Sequence, residues 1–292
     1  MDRKANGVAS GTLCFYRIKL LKFTEFCEGR AIKQIDQITP TFIREYLLYL
    51  QDNGHNPADR HAYYRALRAF FLWYENEVEL IEWSNPIRKV KGTKIPTEPL
   101  EPVSYDTVAR MMKVCESGTF TGERDKALML SLLDTGARAN ELLSMNKDDL
   151  NQATGIILIK RGKGSKPRQV YLGKKTKRAL RKYLRTRSDN NPAVWVTHPR
   201  YGSERLGYDG LRTILSRRAD SAQVSAPTLH SFRRAFALTM LRNGTDLYTL
   251  AALMGHEGIT VLQRYLKQTY EDTELANRKV GPVDNIVQVS FV

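Results

Sequence analysis

Four short stretches of the chain hold side chains suited to chemistry on a phosphate ester. In TGARANEL, Arg138 precedes Glu141 by three residues; in RGKGSKPRQVYL, Lys163 stands between two glycines. In LHSFRRAF, His230 precedes Arg233 by three residues, and in LMGHEGITVLQRY, His256 precedes Tyr265 by nine. Arg138 follows Thr135 and Gly136, which puts it at a helix start, where unpaired backbone N–H groups already favour an anion. Glu141, one turn later, can hold the guanidinium in place. His230 and Arg233 share a helical face beside a core-facing stripe of Leu229, Phe232, Phe236 and Met240. A lysine in a glycine turn can protonate a departing alkoxide as a general acid. A tyrosine hydroxyl, with a pKa of about 10, needs nearby positive charge or a base to become a nucleophile, and the two arginines and two histidines could supply either.

Each feature also has an ordinary structural reading. An Arg/Glu pair three residues apart is commonly a surface salt bridge of little energetic weight. A lone helical histidine is often a satisfied structural residue, and turn lysines are usually solvated. Tyr265, beside Ile259, Leu262 and Leu266, fits simple packing.

The elements that must gather these stretches fall into two blocks. Residues 84–103, SNPIRKVKGTKIPTEPLEPV, hold four prolines and a glycine, which withhold backbone donors and stop helices. The expected organisation is a helical domain over 1–90, a linker over 91–103, a second domain over 104–275 and a tail over 276–292. In the first domain, apolar residues at three- and four-residue spacing predict helices over 13–27, 40–50 and 58–83, with Thr39 before Pro40 as a helix start. His61, Arg65 and Arg68 recur on one face of the third, opposite Leu67, Phe70, Phe71 and Trp73. That face suits either a phosphate backbone or plain solvent. Beyond the linker, the pattern predicts a helix over 104–115 capped by Ser104 and another over 124–133, then two short strands in GIILIKRGKGSKPRQVYL around a basic turn. Helices follow over 174–187, 207–220, 228–243, 246–254 and 258–268. The fold class is mainly α with a small β-sheet: an all-α first domain and an α+β second domain.

Charge points to a polyanionic partner. Forty-six Lys and Arg against 31 Asp and Glu leave +15, of which residues 96–292 carry +11. Residues 160–187 hold 13 basic side chains and no acidic one, although like charges one turn apart repel. A phosphate backbone nearby would relieve that repulsion, and Lys166 and Arg168 in this run are candidate nucleic-acid contacts together with His61, Arg65 and Arg68. Three cysteines without a C-x-x-C spacing encode no readable disulfide framework or zinc site. Without an apolar leader or a membrane-length apolar run, a cytosolic or nucleoid-associated protein is expected. The chain has no G-x-x-x-x-G-K-[ST] motif and no carboxylate cluster of the kind that holds a metal pair, so no cofactor and no metal is expected.

Taken together and in this order, the four stretches resemble the tyrosine recombinases, or phage integrases. The likeness spans Thr135 to Tyr265, and the helical first block is similar in kind to the family's core-binding domain. The resemblance implies that Arg138 and Arg233 bind the non-bridging phosphate oxygens and that His230 helps take the nucleophile's proton. It implies that His256 supports the phosphate or the tyrosine, that Lys163 protonates the 5′-oxygen and that Tyr265 forms a 3′-phosphotyrosyl bond. Glu141 matches the acidic position that buttresses the site. Ala137 and Arg234 depart from the residues common there, and neither change removes a reacting group. The short N-terminus is similar to compact Xer-type members. Implied partners are duplex DNA with inverted half-sites, clamped by the first domain, and further copies of the chain: a dimer per site, a tetramer in synapsis, with the tail exchanged between subunits. The implied function is site-specific recombination; a type IB topoisomerase-like nicking-closing enzyme and a non-catalytic DNA-binding regulator are the alternatives.

Overall fold

A computed structural model describes residues 7–8, 10–78, 83–95, 101–160, 167–256 and 277–278. The chain divides into two compact units, Met1–Glu98 and Pro99–Val292.

The first unit is built on helices α1 (Ser10–Glu28), α2 (Pro40–Asp52) and α3 (Pro57–Glu77). Each of the latter two begins with proline after a side chain that accepts an early N–H: Thr39 from Phe42 at 3.1 Å and Asn56 from Asp59 at 2.9 Å. Their apolar faces meet in an aromatic core of Phe23, Phe26, Phe42, Tyr46 and Phe71, with Ile43 and Leu67 fully buried. The third helix ends at Glu77, six residues before the expected limit, and Val78 is extended. Trp83 lies outside the helix, yet its ring stacks on Phe71 at 6.5 Å from a segment that returns to α3. Asn85 secures that return by donating to the Phe71 carbonyl (3.0 Å) and accepting from the Ile87 N–H (3.1 Å). Helical spacing persisted in the sequence because the returning residues pack on the same core.

The second unit contains α4 (Tyr105–Lys113), α5 (Phe120–Thr135), α6 (Ala139–Leu143), β1 (Ile156–Ile159), β2 (Arg168–Tyr171), α7 (Lys174–Arg185), α8 (Tyr208–Ser221), α9 (Leu229–Arg242) and α10 (Leu247–Met254). Ser104 caps α4 as expected, accepting from Thr107 at 3.0 Å, while Thr119 starts α5 earlier than the apolar spacing alone suggested. The two strands are antiparallel, with Ile157 opposite Val170 and Ile159 opposite Arg168. Ile157, Ile159 and Val170 face the core, which centres on Leu128, Leu132, Leu180, Tyr183, Trp195 and Phe232. Tyr183 and Trp195 stack at 5.6 Å with an interplanar angle of 6°. Helices α9 and α10 share a smaller cluster of Phe236, Ala237, Leu250 and Met254.

Part of the basic run has a structural use. Helix α7 buries Thr176, Leu180 and Tyr183, and from its outer face Arg181 donates to the Gln152 carbonyl at 2.7 Å. Lys177 reaches the Ala153 and Thr154 carbonyls at 3.4 and 3.3 Å, so the two cations tether the turn that leads into β1. Among the described residues, no helix is long and apolar enough to cross a membrane.

Candidate active site

The site assembles around the C-terminal end of α10. The last turn of a helix leaves carbonyls without intrahelical partners, and here arginines from three other elements take them. Arg233, from the first turns of α9, donates to the Met254 carbonyl at 2.7 Å and to His256 Nε2 at 2.9 Å. Arg168, from the start of β2, donates through Nε to the Leu253 carbonyl at 2.9 Å. Arg138, the N-cap of α6, lies 3.4 and 3.5 Å from the Gly255 carbonyl through its two terminal nitrogens, at the long edge of hydrogen bonding.

Two glycines make these approaches possible. Gly136 ends α5 with φ +56°, and a Cβ there would fall 2.2 Å from the Phe236 ring, so α9 can press against the turn and Arg233 can reach the Gly136 carbonyl. Gly255 ends α10 with φ +66°, and a Cβ there would fall 2.7 Å from the Arg168 guanidinium. The glycine-capped ends of α5 and α10 therefore both present carbonyls to Arg233.

Glu141 organises the cations. It stands at the third position of α6, where Oε2 accepts the Arg138 backbone N–H at 2.9 Å, and Oε1 accepts from Arg138 Nη1 at 2.9 Å. Arg168 meets the same carboxylate with both terminal nitrogens, at 3.2 and 2.7 Å. Burial pushes the Glu141 pKa up, but hydrogen bonds from Arg168 and then from the Arg138 backbone outweigh it and hold the carboxyl below its ordinary value. The carboxylate is thus ionised and fully engaged, with its side chain only 3% exposed. The Arg138 side chain stays 41% exposed and can receive an anion.

The two histidines are both kept neutral. Desolvation first, then the charges of Arg233, Arg138 and Arg168, bring the His256 pKa down to about 4, against the opposing pull of Glu141. A guanidinium has no acceptor, so His256 Nε2 must accept from Arg233, and the ring proton sits on Nδ1. His230 is exposed on α9, and partial loss of water followed by the charges of Arg233, Arg234 and Arg138 lowers its pKa too. At neutral pH His230 can therefore accept a proton, and Arg138 and Arg233 can stabilise negative charge.

Residues 103–272, more than half of the chain, match the phage integrase family. The chain belongs to the phage integrase family. Among curated relatives, the tyrosine recombinase XerA of Thermococcus kodakarensis is 28% identical over 83% of this chain and 82% of its own length. The tyrosine recombinase XerC of Leptospira interrogans is 29% identical over 94% and 88%. Among solved structures, XerH recombinase bound to a palindromic difH substrate superimposes with a TM-score of 0.73 at 22% identity, covering 97% of this chain and 82% of that one. At that identity the likeness establishes the fold.

Within this family member, the structure brings together Arg138, Glu141, Arg233 and His256, with His230 on the same helix as Arg233. Lys163, Lys166 and Tyr265, the helix expected over 258–268 and the tail over 276–292 lie outside the described residues, apart from positions 277–278 of the tail. One expected surface contact is corrected. Arg168 does not stand on an open basic face: its side chain is 9% exposed, because it shares the inward face of β2 with Val170 and pairs with Glu141. Period-two alternation with Val170 and Leu172 was the sequence signal that it points inward. In the first unit, Arg65 and Arg68 are exposed on α3, whereas His61 is half-buried with Nδ1 2.9 Å from the Thr93 carbonyl.

Proposed function

We propose that the enzyme cuts DNA at specific sites by attack of Tyr265 on a backbone phosphorus, and that the resulting 3′-phosphotyrosyl bond is resolved by a second strand. The chain is a tyrosine-type site-specific DNA recombinase. In the proposed step, the Tyr265 oxygen bonds to phosphorus as the bond to the 5′-oxygen breaks. The phenolic proton passes to neutral His230, and Lys163 protonates the departing 5′-oxygen. Arg138 and Arg233 stabilise the charge that builds on the non-bridging oxygens, a contribution of about 3–4 kcal/mol for a preorganised donor. His256, nine residues before Tyr265 in sequence and bonded to Arg233, supports the phosphate. The covalent ester retains the energy of the broken phosphodiester, so exchange requires no nucleotide hydrolysis.

The observation that carries this reading is the meeting of two arginines, 95 residues apart in sequence, with a neutral histidine at the segment leading to Tyr265. On the same reading the partner is duplex DNA with inverted half-sites, bound as a dimer per site and a tetramer in synapsis. Arg65, Arg68 and Lys166 contribute phosphate contacts, the first unit closes on the duplex, and the enzyme acts in the cytoplasm at the nucleoid. Neither a nicking-closing enzyme nor a non-catalytic regulator is favoured by any observation.

The test is a nicked suicide duplex carrying the site that the protein selects from a randomised DNA pool. A protease-sensitive covalent adduct should form, and Tyr265→Phe should bind the duplex without forming it. An adduct that survives the substitution would remove Tyr265 as the nucleophile. Recombination between two copies of the site then separates strand exchange from relaxation.

A further inference from the structure

Arg168 has no role in the reaction as set out above, yet it is heavily engaged beside it. Its terminal nitrogens bind both oxygens of Glu141 at 3.2 and 2.7 Å, and its Nε binds the Leu253 carbonyl at 2.9 Å. Its side chain is 9% exposed, so it presents little surface to DNA. Gly255, in a left-handed conformation, leaves room that a Cβ would fill at 2.7 Å from the guanidinium. The residue therefore joins three things: the strand that follows the Lys163 turn in sequence, the carboxylate that holds Arg138, and the helix end that presents His256.

Charge counting shows why this matters. With Glu141 as its sole partner, Arg138 would form a neutral pair and offer a phosphate little net charge. With Arg168 also on the carboxylate, the three groups sum to +1, and the exposed member of the trio is Arg138 at 41%. Only the planar fork of an arginine serves here, because a bidentate grip on a carboxylate with a third donor left for a carbonyl is beyond the point charge of a lysine.

We propose that Arg168 is a positioning residue of the recombinase site, neutralising Glu141 so that Arg138 keeps its charge for the phosphate, and pinning the end of α10 so that His256 faces it. The inference rests on the proposed roles of Arg138 and His256 at a cleaved phosphate. It differs from a DNA contact in what it affects: the rate of bond making, with affinity for DNA left in place.

The experiment measures single-turnover adduct formation, at saturating protein, on the nicked duplex described above, and separately measures affinity for that duplex. Arg168→Met should slow adduct formation by about 10- to 100-fold, the scale of losing a hydrogen bond to a charged group. Its affinity for the duplex should change by less than about threefold, since most of that affinity comes from exposed phosphate contacts elsewhere. Arg168→Lys should also be slower than wild type, because it keeps the charge and loses the fork. The double variant Arg168→Met with Glu141→Gln should be faster than Arg168→Met, because the carboxylate that would otherwise neutralise Arg138 is gone. A wild-type rate in Arg168→Met, a loss confined to affinity, or a double variant no faster than Arg168→Met would each overturn the proposal. If Arg168→Met does not fold, Arg168→Lys decides: a wild-type rate overturns the proposal and a slower rate at unchanged affinity supports it. Absence of an adduct with the wild-type protein would instead count against the recombinase reading of the site.

Discussion

His256 shows how far a residue's surroundings can displace its chemistry. Its pKa falls from 6.5 to about 4, because burial and the guanidinium groups of Arg233, Arg138 and Arg168 all oppose a further positive charge. In the folded protein the ring stays neutral down to about pH 4, whereas the unfolded chain takes up a proton near pH 6.5. The unfolded state binds more protons in that window, so this contribution to stability is complete above pH 6.5 and is lost as the pH falls towards 4. Urea unfolding of wild type and His256→Gln should therefore show wild type losing ground relative to the variant on going from pH 7 to pH 4.5. Nitrogen chemical shifts of the ring should show the Nδ1–H tautomer at pH 7. An Nε2–H tautomer would contradict the bond from Arg233.

At the scale of elements, the geometry of the candidate site depends on how helices end. The glycine caps of α5 and α10 turn the chain with positive φ, freeing the Gly136, Met254 and Gly255 carbonyls for arginines from elsewhere. Gly136→Ala should destabilise the protein by at least about 1–2 kcal/mol from the left-handed backbone alone. The clash with Phe236 adds to that. A lower urea midpoint with unchanged slope would confirm it, and a wild-type midpoint would show that the α5–α9 contact yields without cost. Thr228, whose hydroxyl accepts the Ser231 N–H at 3.1 Å, fixes where α9 starts and hence the face on which His230 and Arg233 emerge. Helix starts of this kind were legible in the sequence, as at Thr39 and Ser104, because a cap acts within four residues. The end of α3 was not legible, because Trp83 mimics helical spacing from a returning segment.

At the scale of the whole molecule, the dominant quantity is charge. A net +15 distributed mostly over residues 96–292 predicts DNA binding that weakens steeply with salt. If the recombinase covers 6–10 phosphates, affinity should drop by about 10³–10⁵ between 50 and 200 mM salt, as fluorescence anisotropy on a labelled duplex would measure. A shallow dependence would mean that fewer of the exposed cations reach phosphate. Part of the charge is already committed inside the fold: Arg168 to Glu141, Arg181 and Lys177 to backbone carbonyls, and Arg124 and Arg218 to the buried Asp125. Formal charge therefore overstates the surface available to DNA.

The sequence by itself determined the identity and order of the proposed reacting groups, the helix starts at Thr39 and Ser104, the paired strands and the expectation of a polyanionic partner, because each depends on residue type and short-range spacing. Only the tertiary structure decided which cations are spent within the protein and which remain open to a substrate. The Arg168 carboxylate partner lies 27 residues away and its carbonyl partner 85 residues away, so no local pattern encodes both. A surface arginine and a buried, paired one look alike in a sequence; they differ in the neighbours that folding brings to them.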